Sequence, residues 1–144
     1  MQVSTRVCAL IGVTLIVTGA ITPSPMTRQQ AALEKESRTP AQRKIGSALL
    51  YEIYRRRGEA ARKNVPPGDT GVKIDPKGRA LVDVRVAVSP AMQKKIVSLG
   101  SAMVSTSREY HSVIAWVPLL KLERLAADPD VRAIVPAAEA STVR

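Results

Sequence analysis

Few residues in this chain could carry covalent chemistry. His111 is the single histidine, Cys8 the single cysteine, and no serine sits in a Gly-x-Ser-x-Gly stretch. A Ser-His-Asp hydrolase needs an imidazole held between nucleophile and carboxylate. His111 instead falls in an expected turn, Arg108-Glu109-Tyr110-His111, where it reads as a solvated loop residue. One His and one Cys cannot assemble a zinc site, and a lone Cys excludes an internal disulfide. No catalytic residue, metal ligand or cofactor-binding residue is therefore assigned, and the chain is expected to be a non-enzyme.

What remains is charge. Twenty-two Lys and Arg against 12 Asp and Glu give a formal net charge of +10 over 144 residues. That balance suits nucleic acid, an anionic lipid surface or an acidic protein, and does not choose among them. The basic residues Arg55, Arg56, Arg57, Arg62 and Lys63 form the densest cluster. Readers of single-stranded nucleic acid interleave aromatic rings for stacking. Here aromatics are 3% of the chain, Phe is absent, and the nearby Tyr51 and Tyr54 fit the apolar side of a helix. No specific nucleic-acid partner is expected.

The elements that must position any site begin with an address. Arg6 precedes an uncharged, mostly apolar run from Val7 to Ile21, followed by Thr22-Pro23-Ser24-Pro25. A positive start, an apolar core, small residues and a helix breaker make a secretory signal, with cleavage placed after Ala20. As a helix the run spans ~22 Å, short of a ~30 Å hydrocarbon core, so no stable membrane span is expected after cleavage. Cys8 leaves with the signal, and the product suits a secreted, periplasmic or extracellular setting.

Residues 21–43 read as a flexible leader, too polar to offset the entropy of ordering. Residues 44–64 then read as a separate basic amphipathic helix. Leu49, Leu50, Ile53 and Tyr54 recur at helical spacing behind Ser47 as N-cap, and the helix is expected to run to about residue 63. Residues 65–79, with Pro66-Pro67-Gly68 and Pro76-Lys77-Gly78, read as a linker. The positive excess lies ahead of residue 80.

From Ala80 the patterning becomes dense. Val82, Val84, Val86 and Val88 alternate as a strand, and Ser89-Pro90 opens a helix carrying Met92, Ile96 and Leu99 and closed by Gly100. Residues 102–107 and 112–117 read as an antiparallel hairpin. Pro118 opens a second helix with Leu119, Leu122 and Leu125 at spacing three, and residues 131–135 are a fourth strand. The order strand, helix, strand, strand, helix, strand is the α+β, ferredoxin-like βαββαβ arrangement, an antiparallel sheet with two helices on one face. At about 57 residues, 80–136 is a marginal domain by surface-to-volume scaling, expected to draw stability from the preceding helix or a partner.

The run Val117-Pro118-Leu119, Leu122, Leu125-Ala126, Pro129, Val131 and Ile134 resembles the end of the N-terminal propeptide domain of secreted subtilisin-like serine proteases. So do Leu81-Val82-Asp83-Val84-Arg85-Val86, the step Leu99-Gly100-Ser101-Ala102-Met103-Val104, and Lys44-Ile45 ahead of Leu49-Leu50. The resemblance spans residues 44–136. It implies an intramolecular chaperone and product-like inhibitor whose outer sheet face rests on the protease and whose last residues run through the substrate cleft. The chain departs from that pattern in stopping at Arg144 without a catalytic domain.

Alternation on the third strand leaves two registers. If Val113, Ala115 and Val117 face the helices, Ile114 and Trp116 point away, joined by Met103 and Ile134; the other register buries the large residues. The first supplies an apolar stripe for a protease-binding face of Met103, Ile114, Trp116 and Ile134. The extended tail, residues 137–144, would place Ser141, Thr142, Val143 and Arg144 in the cleft as an added strand. The expected function is an exported propeptide-like protein that binds a subtilisin-like protease and inhibits it or assists its folding. The alternatives are a truncated precursor remnant without independent activity and a generic secreted protein-interaction module.

Overall fold

The computed structural model describes residues 28–137. The expected signal peptide, its cleavage site and Cys8 lie outside the described residues, as do Ser141, Thr142, Val143 and Arg144 of the tail. Helices α1 (Arg28–Glu36), α2 (Pro40–Arg43) and α3 (Ser47–Arg56) precede strand β1 (Arg79–Val86), helix α4 (Pro90–Ser98) and strands β2 (Ala102–Ser107) and β3 (Ser112–Pro118). A 3₁₀ turn (Leu119–Lys121) then leads into α5 (Leu122–Ala126) and β4 (Val131–Pro136). The strands form one four-stranded antiparallel sheet in the order β2-β3-β1-β4. Among the described residues no helix is long and apolar enough to cross a membrane.

Register decides the faces, because residues directly opposite one another in a sheet point the same way. Val82 lies opposite Ala115, and Val84 opposite both Val113 and Ile134. Ala80, Val82, Val84, Val113, Ala115, Val117 and Ile134 therefore share one face, and all are fully buried. They join Met92, Ile96 and Leu99 of the α4 region and Leu122, Leu125 and Ala126 of α5 in one core.

Local signals account for the elements above this face. Ser89 caps α4 by accepting from Met92 N–H at 3.1 Å, Pro90 occupies the first turn, and Gly100 at φ +86° takes the left-handed conformation that ends the helix. The spacing of three at Leu119, Leu122 and Leu125 matches a 3₁₀ period at its start, and the chain makes a 3₁₀ turn there before α5.

The N-terminal third differs from expectation. Instead of a flexible leader, residues 28–43 hold two helices. Thr39 and Gln42 form a reciprocal capping box at α2, with Pro40 at its start. Arg38 reaches back one helical turn to Glu34 with hydrogen bonds at 2.9 and 2.6 Å, both side chains buried. Nor is α3 a separate helix: Leu49, Leu50, Ile53 and Tyr54 are part of the same core as the sheet. Its N-cap is Gly46 rather than Ser47, whose Oγ instead accepts from Arg38 at 3.1 Å. It stops at Arg56 rather than near residue 63, because Gly58, at φ +70°, closes it. Gly58 N–H donates to Arg55 O at 3.1 Å and Glu59 N–H to Tyr54 O at 2.8 Å.

Residues 65–79 are tied at both ends. Arg55 donates to Pro66 O at 3.0 Å and Gly68 O at 2.6 Å, and Thr70 Oγ donates to Glu52 at 2.6 Å. Ile74 bridges Ala80, and Leu81 N–H donates to Lys73 O at 3.0 Å. The segment expected to act as a linker thereby straps α3 to the first strand of the sheet.

Candidate functional site

The sheet face turned away from the core carries the candidate site. Strand alternation sends Leu81, Asp83 and Arg85 of β1 to that side, opposite Trp116, Ile114 and Ser112 of β3. On the other flank of β1, Val135 lies opposite Asp83 and Ala133 opposite Arg85. Ile114 and Trp116 are half-buried and Val135 is 36% exposed. Leu81 is buried on the central strand, where neighbours flank it on both sides, yet it stands outside the helix-side core. The face is thus a shallow apolar strip of Leu81, Trp116, Ile114 and Val135.

A polar cluster closes one end of the strip. Ser112 Oγ donates to Asp83 Oδ1 at 2.5 Å, and Arg85 pairs with Asp83 Oδ2 at 2.8 Å. Asp83 is 9% exposed, while the Arg85 side chain is half exposed. A carboxylate so placed must be satisfied within the sheet, and both partners come from β1 and β3 themselves. Arg85 presents the cluster's charge to solvent.

The four residues expected on a single protease-binding face divide in two. Ile114 and Trp116 lie together on the open face. Ile134 does not: it is fully buried against Val84 on the helix side. Met103 also belongs to the helix side, opposite Ala115, where it is 37% exposed at the sheet edge. Two long-range facts flip these side chains. The β1–β4 register sets the parity of β4, and a bulge between Met103 and Ser105 shifts the parity of β2. Val135 takes the place expected of Ile134. Leu81, Asp83 and Ser112 were not assigned to this face from sequence; the signal for the first two was the second alternation in β1, Leu81-Asp83-Arg85, interleaved with the valines, and for Ser112 its place two residues before Ile114 in β3.

The residues considered for other chemistry have local partners. His111 is exposed in the hairpin turn at φ +49°, and its carbonyl accepts from Val86 N–H at 2.8 Å. Among the described residues no group of three His, Cys, Asp or Glu is arranged to hold a metal ion. Within the basic cluster, Arg57 pairs with Glu123, Arg62 with Glu59 at 2.9 Å, and the Lys63 ammonium sits 5.5 Å from the centre of the Tyr54 ring. Arg55 is held by Glu52 at 2.8 Å as well as by the strap. Internal pairing removes much of the free charge that a phosphate-tracking surface would use.

Comparison of the chain with family models, with curated proteins and with solved structures gave no match.

Proposed function

We propose that this chain is an exported, propeptide-like protein that binds a subtilisin-like serine protease through the open face of its sheet, inhibiting the enzyme or assisting its folding. The strand order β2-β3-β1-β4 supports a ferredoxin-like fold, since two interleaved βαβ units place the first and third strands at the centre. The observation that carries the functional reading is the pairing of Ile114 and Trp116 on the side opposite the helices, next to Leu81 and Val135. A half-buried indole flanked by aliphatic side chains on a sheet face is the kind of anchor that dominates protein interfaces. Asp83 and Arg85 would supply the polar rim.

The test is a titration of the full chain against a panel of subtilisin-like proteases, followed by residual activity and by Trp116 emission. Slow or tight inhibition accompanied by a spectral shift is expected, because docking removes the indole from water. A folded chain that inhibits no member of the panel and shows no change in emission would overturn the reading.

A further inference from the structure

The sheet has two edges, and the chain treats them differently. Beyond β4, Ile134 N–H donates to Lys44 O at 2.7 Å and Gly46 N–H donates to Ile134 O at 2.8 Å, so residues 44–46 cover that edge. Beyond β2 there is no further strand among the described residues. Met103, Val104, Ser105 and Thr106 are all exposed, Val104 at 58%. Proteins that keep such an edge single place charges or proline on it. Ala102–Ser107 has neither, and the bulge at Val104 is its only blunting feature.

A second exposed apolar feature adjoins this edge. On α4, Val97 is 51% exposed, and it lines a cavity of about 490 Å³ together with Met103, Pro90, Gln93, Lys94 and Ser98. The cavity lies between the helix and the open strand, so one partner could cover both.

We infer that β2 and the outer side of α4 form the contact between two copies of this chain, related by a two-fold axis that runs beside β2, perpendicular to the sheet. An antiparallel edge is self-complementary under such an axis. The operation that pairs β2 with its copy also brings α4 beside its own copy on the same side of the continued sheet, covering Val97 and Met103 in the same step. A single added peptide strand would bring only alternate side chains to that cavity. Pairing centred on the strand sets Arg108 and Glu109 of each copy beside Gly100 and Ser101 of the other, at the carboxyl end of α4, where the Lys121 ammonium donates to Leu99 O at 2.9 Å and offers Glu109 an opposite charge. The open face bearing Ile114 and Trp116 is left untouched, so this contact does not depend on the protease reading.

Sedimentation of the full chain over a concentration series tests the contact. The wild type is expected to show a reversible monomer–dimer equilibrium. Val104→Lys on the edge and Val97→Lys on the helix should each weaken self-association by about tenfold or more with unchanged circular dichroism. In a Cys8→Ser background, Ser105→Cys should form an intermolecular disulfide on mild oxidation, and Leu120→Cys, at an exposed site elsewhere, should not. If the lysine variants lose their fold, the cysteine comparison decides alone. A wild type that stays monomeric throughout, or a dimer that either lysine variant leaves unchanged, would overturn the inference. So would a monomer that takes up an extended peptide along β2.

Discussion

Ile45 and Ile134 pair as a parallel bridge between the segment ahead of α3 and the last strand of the sheet. Both backbone bonds that fix the bridge run through Ile134, and both side chains are buried in the core. The N-terminal segment is thus a structural part of the sheet domain, sealing its β4 edge and delivering α3 onto the helix face.

It follows that core residues on either side of the bridge should matter equally. Leu50→Ala in α3 and Ile134→Ala in β4 each empty a fully buried site and should destabilise the protein by roughly 2–5 kcal/mol. Urea unfolding followed by circular dichroism would measure this. A Leu50→Ala variant as stable as the wild type would mean that α3 is dispensable.

The Glu34–Arg38 pair predicts an asymmetry. Side-chain exposures of 7% for Arg38 and 4% for Glu34 leave either charge without solvent once its partner is gone. Arg38→Ala should cost roughly 3–5 kcal/mol by stranding Glu34, while the double variant Glu34→Leu, Arg38→Leu should recover much of that loss. A double-mutant cycle on unfolding free energies would test it, and additive losses would contradict it.

Acid should weaken the fold through carboxylates depressed in the native state, Asp128 and Glu123 among them. The Lys95 ammonium, aided by the Asp130 N–H, holds the Asp128 carboxyl below its ordinary 3.8. Burial pushes Glu123 upward, but hydrogen bonds from the Arg57 guanidinium and from Gln42 at 2.7 Å outweigh it and bring Glu123 below its ordinary 4.5. A carboxyl depressed in the native state contributes stability that is present above its unfolded value and is lost as pH falls through the folded one. The denaturation midpoint should therefore hold steady at mildly acidic pH and drop below about pH 4.5. Glu123→Gln should lower the neutral-pH midpoint and flatten the acid limb; an unchanged limb would assign the loss to other groups.

On the open face, Trp116→Ala and Ile114→Ala should weaken protease binding by about 2 kcal/mol or more each, with the fold retained. Val135→Asp should weaken it further by setting a second carboxylate beside Asp83. Met103→Ala should leave inhibition unchanged, because Met103 lies on the helix side. Inhibition constants measured on variants of equal circular dichroism would decide.

Much of the sheet domain was legible from residues near one another in the chain. The alternating valines marked β1, Ser89-Pro90 and Gly100 bounded α4, and the leucines at spacing three marked the turn into α5. Polar composition concealed α1 and α2, whose order rests on the Thr39–Gln42 box and the Arg38 contacts with Glu34 and Ser47. The end of α3 was legible in principle, at Gly58, but the basic run around it read as helix.

From residue 80 onward, sequence by itself determined where strands and helices begin, which β3 residues alternate, and that one alternate set is small while the other holds Ile114 and Trp116. These are short-range properties, set by backbone preferences, caps and side-chain period. Only the tertiary structure decided that Ile134 and Met103 leave that set, that Val135 and Leu81 join it, and that residues 44–46 seal one sheet edge while β2 stays open. The reason is the two-residue period of a strand. A register shift or bulge of one residue reverses a side chain's face, and register is fixed by pairing between segments far apart in the chain.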